Sequence, residues 1–223
     1  LDSSTQFVMA KLLRHISNAE MKIELDLDPE KDATRVCFVM PDHPGIFSRL
    51  AGAVALAGAN VVDARTYTSS DGFATAVFWL QDKNMSPYKE EQFPKLNSAI
   101  KNSLSGSVLS SEAFKIRDKV KKRERDFQVP TEILFDNDGS EIYTIIEVDT
   151  RDRPGLLFDL TRTISGANIY IASAVIATYG LQAVDVFYVK DMFGLKLHSQ
   201  SKQQSLEKKL LQAIEFGTKR ASA

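Results

Sequence analysis

Apolar residues recur along this chain in two rhythms, one near 3.6 residues and one of 2, and the rhythms alternate in blocks. Phe7, Met9, Leu12, Leu13 and Ile16 keep the first, which predicts a helix over 4–18 with Ser3 or Ser4 as its cap. Ile23, Leu25 and Leu27 then alternate with Lys22, Glu24 and Asp26, the pattern of a half-buried strand, and Asp28-Pro29 opens a turn. Residues 35–40 are apolar almost without interruption, as in a strand covered on both faces. After a turn over 41–45, Ile46, Leu50, Val54 and Ala57 fall on one helical face, and Gly58 supplies a left-handed stop. Strands follow over 60–68 and 73–80, joined through Asp71-Gly72, and a helix over 88–104. The rhythm then lapses over 110–126, read as a charged helical connector, and resumes. Strands are predicted over 131–135 and 142–148, a helix over 154–165, strands over 169–178 and 181–189, and a last helix over about 199–216.

The second half repeats the first. Asp42-His43-Pro44-Gly45-Ile46 is answered by Asp152-Arg153-Pro154-Gly155-Leu156, 110 positions on. Gly58-Ala59-Asn60 is answered by Gly166-Ala167-Asn168, 108 positions on, which implies a two-residue deletion in one copy. Gly72-Phe73 and Ala76-Val77-Phe78 find counterparts in Gly180-Leu181 and Asp185-Val186-Phe187. Segments matching in order at nearly constant offset mark a duplicated unit. Each unit carries four strands and two helices. The order strand–strand–helix–strand–strand–helix fits the chain, and so does an exchange in which one unit lends the other an edge strand.

Composition narrows the classes. The 223 residues are 43% hydrophobic and 26% charged with a formal net charge of -1, ordinary for a water-exposed globular chain and without the field that gathers nucleic acid or an anionic membrane. No apolar run approaches a membrane span or a signal peptide, which points to the cytoplasm. Seven Lys or Arg lie between Lys115 and Arg125, but Asp118 and Glu124 interrupt them and Phe114 is the sole close aromatic, so the stretch reads as a solvated connector. Asp26, Asp28, Glu30 and Asp32 imitate a calcium loop, but Lys31 stands where glycine is required and Cys37 where a bidentate Glu belongs. Cys37, the one cysteine, is expected to be a buried, inert thiol. The three histidines, His15, His43 and His198, share no ligand spacing, and neither a Walker loop nor a dinucleotide fingerprint is present. No metal site and no catalytic constellation is expected. A first residue other than methionine suggests a piece of a longer protein.

The repeated loop has chemistry of its own. Pro-Gly opening a helix leaves backbone N–H groups at the positive helix end, suited to a carboxylate. Pro presets the first helical angle, and Gly permits close approach of a ligand. Asp42 or Asp152 can cap the helix or accept from an ammonium, and Asn60 and Asn168 each offer an amide donor and acceptor at the neighbouring strand. Together these groups describe a pocket for a free amino acid. Ordinary turn chemistry would use the same residues.

The sequence Asp-x-Pro-Gly, helix, Gly-Ala-Asn, strand, turn-Gly, strand resembles the ACT domain, a ferredoxin-like βαββαβ module. The resemblance implies an α+β fold of two tandem ACT domains, each an antiparallel four-stranded sheet with two helices. Residues 1–19 would be a helical segment from upstream, 20–108 the first domain, 109–128 the linker and 129–223 the second. The run Val129-Pro130-Thr131-Glu132, Phe135-Asp136-Asn137, then Tyr143 to Val148 and Arg151 to Leu157, is similar to the C-terminal tandem ACT region of bacterial bifunctional uridylyltransferase/uridylyl-removing enzymes. In that family the ligand is glutamine and the target is the PII signal protein. The resemblance places glutamine contacts at Asp42, His43, Pro44, Gly45, Ile46, Asn60 and Val61, and at Asp152, Arg153, Pro154, Gly155, Leu156, Asn168 and Ile169. It implies no cofactor here, Mg for the catalytic domains of the whole enzyme, and homodimerisation through ACT edges. A ligand-free dimerisation or docking module is the competing reading.

Overall fold

The computed structural model describes residues 1–14, 16, 20–43, 45–69, 71–105, 129–153 and 155–222. The connector expected over 110–126, and Pro44, Pro154 and His15, lie outside them. Helix α1 (Ser3–Arg14) precedes a first unit of β1 (Lys22–Asp28), β2 (Ala33–Pro41), α2 (Ile46–Leu56), β3 (Asn60–Thr68), β4 (Phe73–Gln81) and α3 (Phe93–Ser105). The second unit has β5 (Glu132–Asp136), β6 (Thr144–Arg151), α4 (Leu156–Gly166), β7 (Ile169–Tyr179), β8 (Gln182–Asp191) and α5 (Gln200–Ser222). A short 3₁₀ turn, Glu90–Gln92, takes up the start of the third helix, which begins later than the apolar pattern suggests. Pro94 fits its first turn, where an N–H has no intrahelical partner.

Each unit is an antiparallel sheet, in the orders β1-β2-β4-β3 and β5-β6-β8-β7. Each keeps its own leading strand, so among the described residues no strand is exchanged. The edge that closes a βαββαβ order at its end is here supplied at the start, by β1 or β5 beside the central β2 or β6. The element order is therefore ββαββα with the same sheet.

The two units differ in how they are covered. The core between sheets and helices runs through both, joining Phe38, Leu50 and Phe78 of the first to Ile146, Leu160 and Phe187 of the second. A separate cluster on the far face of the first sheet holds Cys37, Val39, Val77 and Trp79 under Val8, Met9 and Leu12 of α1. That second cover makes β2 buried along nearly its whole length, whereas β6 alternates. Hence 35–40 reads as a continuous apolar run and its counterpart does not. Cys37 is fully buried, and burial pushes its thiol up to about 12, which leaves it inert near neutrality. Asp28 behaves as a turn residue, accepting from the Glu30 and Lys31 N–H groups.

Sheet edges β3 and β7 lie against each other and α2 packs on α4, so the duplicated elements meet across an approximate two-fold. This juxtaposition positions the site.

Candidate ligand site between the two units

The backbone shows which residues of the two copies are true counterparts. Val61 pairs with Leu80 as Ile171 pairs with Val189, and Thr68 pairs with Ala74 as Thr178 pairs with Ala183. The offset of 110 thus persists through β3 and β7, and the shortening falls in the hairpin, between Thr68 and Phe73 on one side and Thr178 and Gln182 on the other. The repeated Gly-Ala-Asn is not an equivalence. Asn168 corresponds to Gly58: both end a helix in the left-handed conformation, at φ 58° and 82°. Asparagine tolerates that region better than other side-chain-bearing residues, so it replaces glycine as a helix stop. Asn168 is exposed and donates its backbone N–H to the Ser165 carbonyl. The counterpart of Asn60 is Tyr170.

The two loops are built alike. Gly45 and Gly155 take φ 81° and 75° immediately before α2 and α4. The Asp42 N–H donates to the Gly72 carbonyl and the Asp152 N–H to the Leu181 carbonyl, which ties each loop to its own hairpin. The Leu156 N–H is taken by the Arg153 carbonyl and the Asp159 N–H by the Gly155 carbonyl. The Leu157 N–H, in the first helical turn, has no intrahelical acceptor.

Across the two-fold, each loop faces the start of the other unit's strand. The Asp152 loop faces Asn60 and Val61, and between them lies a cavity of about 270 Å³. Asp152, Arg153, Gly155 and Leu156 line it from the second unit, and Asn60, Val61 and Lys83 from the first. The other loop faces Tyr170. The Tyr170 hydroxyl donates to Asp42 Oδ2 at 2.9 Å, Thr68 Oγ1 donates to the same oxygen at 3.0 Å, and the two hydroxyls also touch. Asp42, His43, Gly45, Ile46, Asn168 and Ile169 do not line the cavity, so the sequence-derived set is divided between one open and one closed position. Arg153 contributes to the wall, but its guanidinium turns to Asp159 at 2.7 Å and to the Ala213 carbonyl of α5, with Arg220 joining Asp159 at 3.1 Å.

Three polar lining residues escaped the sequence reading: Lys83, Thr178 and Asp185. Asp185 is 1% exposed, and its Oδ1 has no hydrogen-bond partner among the described residues. Burial, and secondarily the charge of Asp152, holds its carboxyl well above the usual carboxylate range. Burial also raises Asp152, opposed by the N–H and charge of Arg153. The signal was present in the sequence. Ala183, Phe187 and Val189 share one face of β8 at period 2 with Asp185, and an acid in that series is a buried polar group in need of a reason.

Comparison with known proteins places these features in a family. The ACT domain model matches residues 35–81, and a model for the ACR9-like, ACT-like domain matches 132–217. Both halves of the chain are ACT domains. The chain is 65% identical over 221 residues to the bifunctional uridylyltransferase/uridylyl-removing enzyme of Cereibacter sphaeroides, covering 99% of this chain and 24% of that protein. It is 58% identical to the enzyme of the same name from Ruegeria pomeroyi, covering 98% and 25%. The one from Azospirillum brasilense is 41% identical over 96% of this chain and 23% of its own. The chain thus spans about a quarter of the length of these relatives and corresponds to their tandem ACT regulatory region. Aspartate kinase from Synechocystis aligns at a TM-score of 0.42 with 14% identity, over 83% of this chain and 27% of that one. Among the described residues no helix is long and apolar enough to cross a membrane.

Proposed function

We propose that this ACT pair senses glutamine, binding one molecule in the cavity between its two units. The observation that carries this reading is the meeting of opposite chemistries in one small space. The Leu157 N–H at the start of α4 and the exposed ammonium of Lys83 suit an α-carboxylate, Asp152 and Asp185 suit an α-ammonium, and the Asn60 amide suits a side-chain amide. About 270 Å³ fits a free amino acid and is too small for a nucleotide or a larger cofactor.

The cavity wall is drawn from both units, so ligand affinity depends on how β3 and α2 sit against β7 and α4. A ligand biases such an equilibrium by its differential affinity for the two arrangements. In a whole enzyme of the kind these relatives represent, glutamine in this cavity would favour removal of uridylyl groups from PII over their addition, with Mg serving the catalytic domains. The docking alternative would pair ACT sheet edges or helices between chains, and the β3 and β7 edges already meet within one chain.

Calorimetric titration of the chain with glutamine, glutamate and asparagine tests the proposal. Saturable heat selective for glutamine at one equivalent per chain is expected. No heat from any of the three would defeat the sensor reading, and concentration-dependent mass would then favour docking between chains.

A further inference from the structure

Asp185 is the group in this molecule whose placement is hardest to explain by folding. It projects from the centre of the second sheet, between Val148 of β6 and Ile176 of β7, in a row that is otherwise apolar. A carboxyl there weakens the core unless it is held by a partner. Oδ1 finds no donor among the described residues, and the residue lines the cavity. Its counterpart in the first sheet, Ala76, is apolar and 1% exposed, so the fold itself does not demand an acid at this position.

We infer that Asp185 receives the α-ammonium of the bound amino acid, with Asp152 at its side, and that it makes the site reject ligands lacking that cation. This rests on the amino-acid reading above and extends it to a residue outside the Asp-x-Pro-Gly loop. The charged side chains sharing the cavity with Asp185 are Asp152 and Arg153 from the loop before α4 and Lys83 from the first unit. Among the described residues the Arg153 guanidinium pairs with Asp159, and Lys83 is exposed, so neither forms an ion pair with Asp185. Without ligand the pair of Asp152 and Asp185 carries a proton, because a buried carboxyl that shares a cavity with a second one ionises only at a cost. An arriving ammonium replaces that proton, which leaves to solvent, and no other bond changes.

The test compares glutamine with 4-carbamoylbutanoate, the same molecule with hydrogen in place of the ammonium. The unmodified chain is expected to bind the analogue at least about 30-fold more weakly, the scale of an unpaired buried charge. Glutamine binding near pH 6, measured in buffers of differing ionisation enthalpy, is expected to release about one proton. Asp185→Asn should weaken glutamine by about 30-fold, bring the analogue to within a few-fold of it, and abolish most of the proton release. Thermal unfolding checks the fold of this near-isosteric variant. If it fails to fold, the analogue ratio and proton count of the unmodified chain decide. Glutamine bound with full selectivity by Asp185→Asn, or an analogue bound as tightly as glutamine by the unmodified chain, overturns the assignment of Asp185 alone. An unmodified chain that binds neither compound overturns the amino-acid reading itself.

Discussion

The two halves of this molecule carry the same loop, and they use it differently. Asp152 opens on a cavity, whereas Asp42 is held by the hydroxyls of Tyr170 and Thr68. The residues that distinguish them are not in the loops. They are the strand residues across the two-fold: Asn60, short enough to leave space, and Tyr170, long enough to reach the facing carboxylate. Asn60 is also held back, since its amide donates to the Asp82 carbonyl at 3.0 Å. A duplicated loop is thus differentiated by what the other copy presents to it: one copy opens on a cavity, and the other ties the units together.

The largest test of this asymmetry is at the glycines. Gly155→Val places a branched side chain at φ 75°, where an L-residue costs about 1–2 kcal/mol, and at the cavity wall. Glutamine affinity is expected to fall by at least about 100-fold, the loss of two or more polar contacts, while Gly45→Val costs similar stability and leaves affinity within a few-fold. Equal losses of affinity would mean both loops bind ligand.

The position after each Asp separates them in stability. Arg153→Ala removes a buried guanidinium paired with Asp159 and should cost about 3 kcal/mol in denaturant unfolding, against less than about 1 kcal/mol for the half-buried His43→Ala. Comparable costs would show that the buried ion pair contributes little.

The amide assignment gives a third contrast. Asn60→Ala should weaken glutamine by about tenfold, one hydrogen bond's worth, and Asn168→Ala should leave titrations unchanged. An effect at Asn168 would restore the Gly-Ala-Asn equivalence that the strand pairing denies.

The smallest expected effect is on stability against pH. Asp185 and Asp152 titrate above their unfolded values, so the folded form keeps protons that the unfolded chain releases. Their contribution is fully present below the unfolded carboxylate value near 4 and is lost as pH rises toward the folded values. Asp185→Asn should flatten that decline, and saturating glutamine should do the same, in chemical unfolding series from pH 4 to 8. A decline unchanged in the variant would place its origin elsewhere.

Much of the architecture was legible from residue spacing, for reasons visible at particular positions. Ile46, Leu50 and Val54 can share a buried face only on a helix, and Ile23, Leu25 and Leu27 only on a strand. The continuous run at 35–40 announced the double cover that α1 completes. The loops were legible too, since Gly45 and Gly155 occupy backbone angles that other residues resist. Asn60 and Asn168 share their sequence neighbours but not their place in the fold. A helix stop can be met by Gly58 or by Asn168, and only the strand pairing reveals that substitution.

The sequence by itself determined two copies of one αβ unit, each with a Pro-Gly loop opening a helix, because periodicity and turn chemistry are local. It could not say that the copies face each other, which loop stays open, or that Asp185 and Asp152 line one cavity. Those follow from β3 meeting β7 and α2 meeting α4, contacts between residues about a hundred positions apart. Only tertiary packing could decide them, because whether a carboxylate meets a hydroxyl, a cavity or another carboxylate depends on the chain that folds against it.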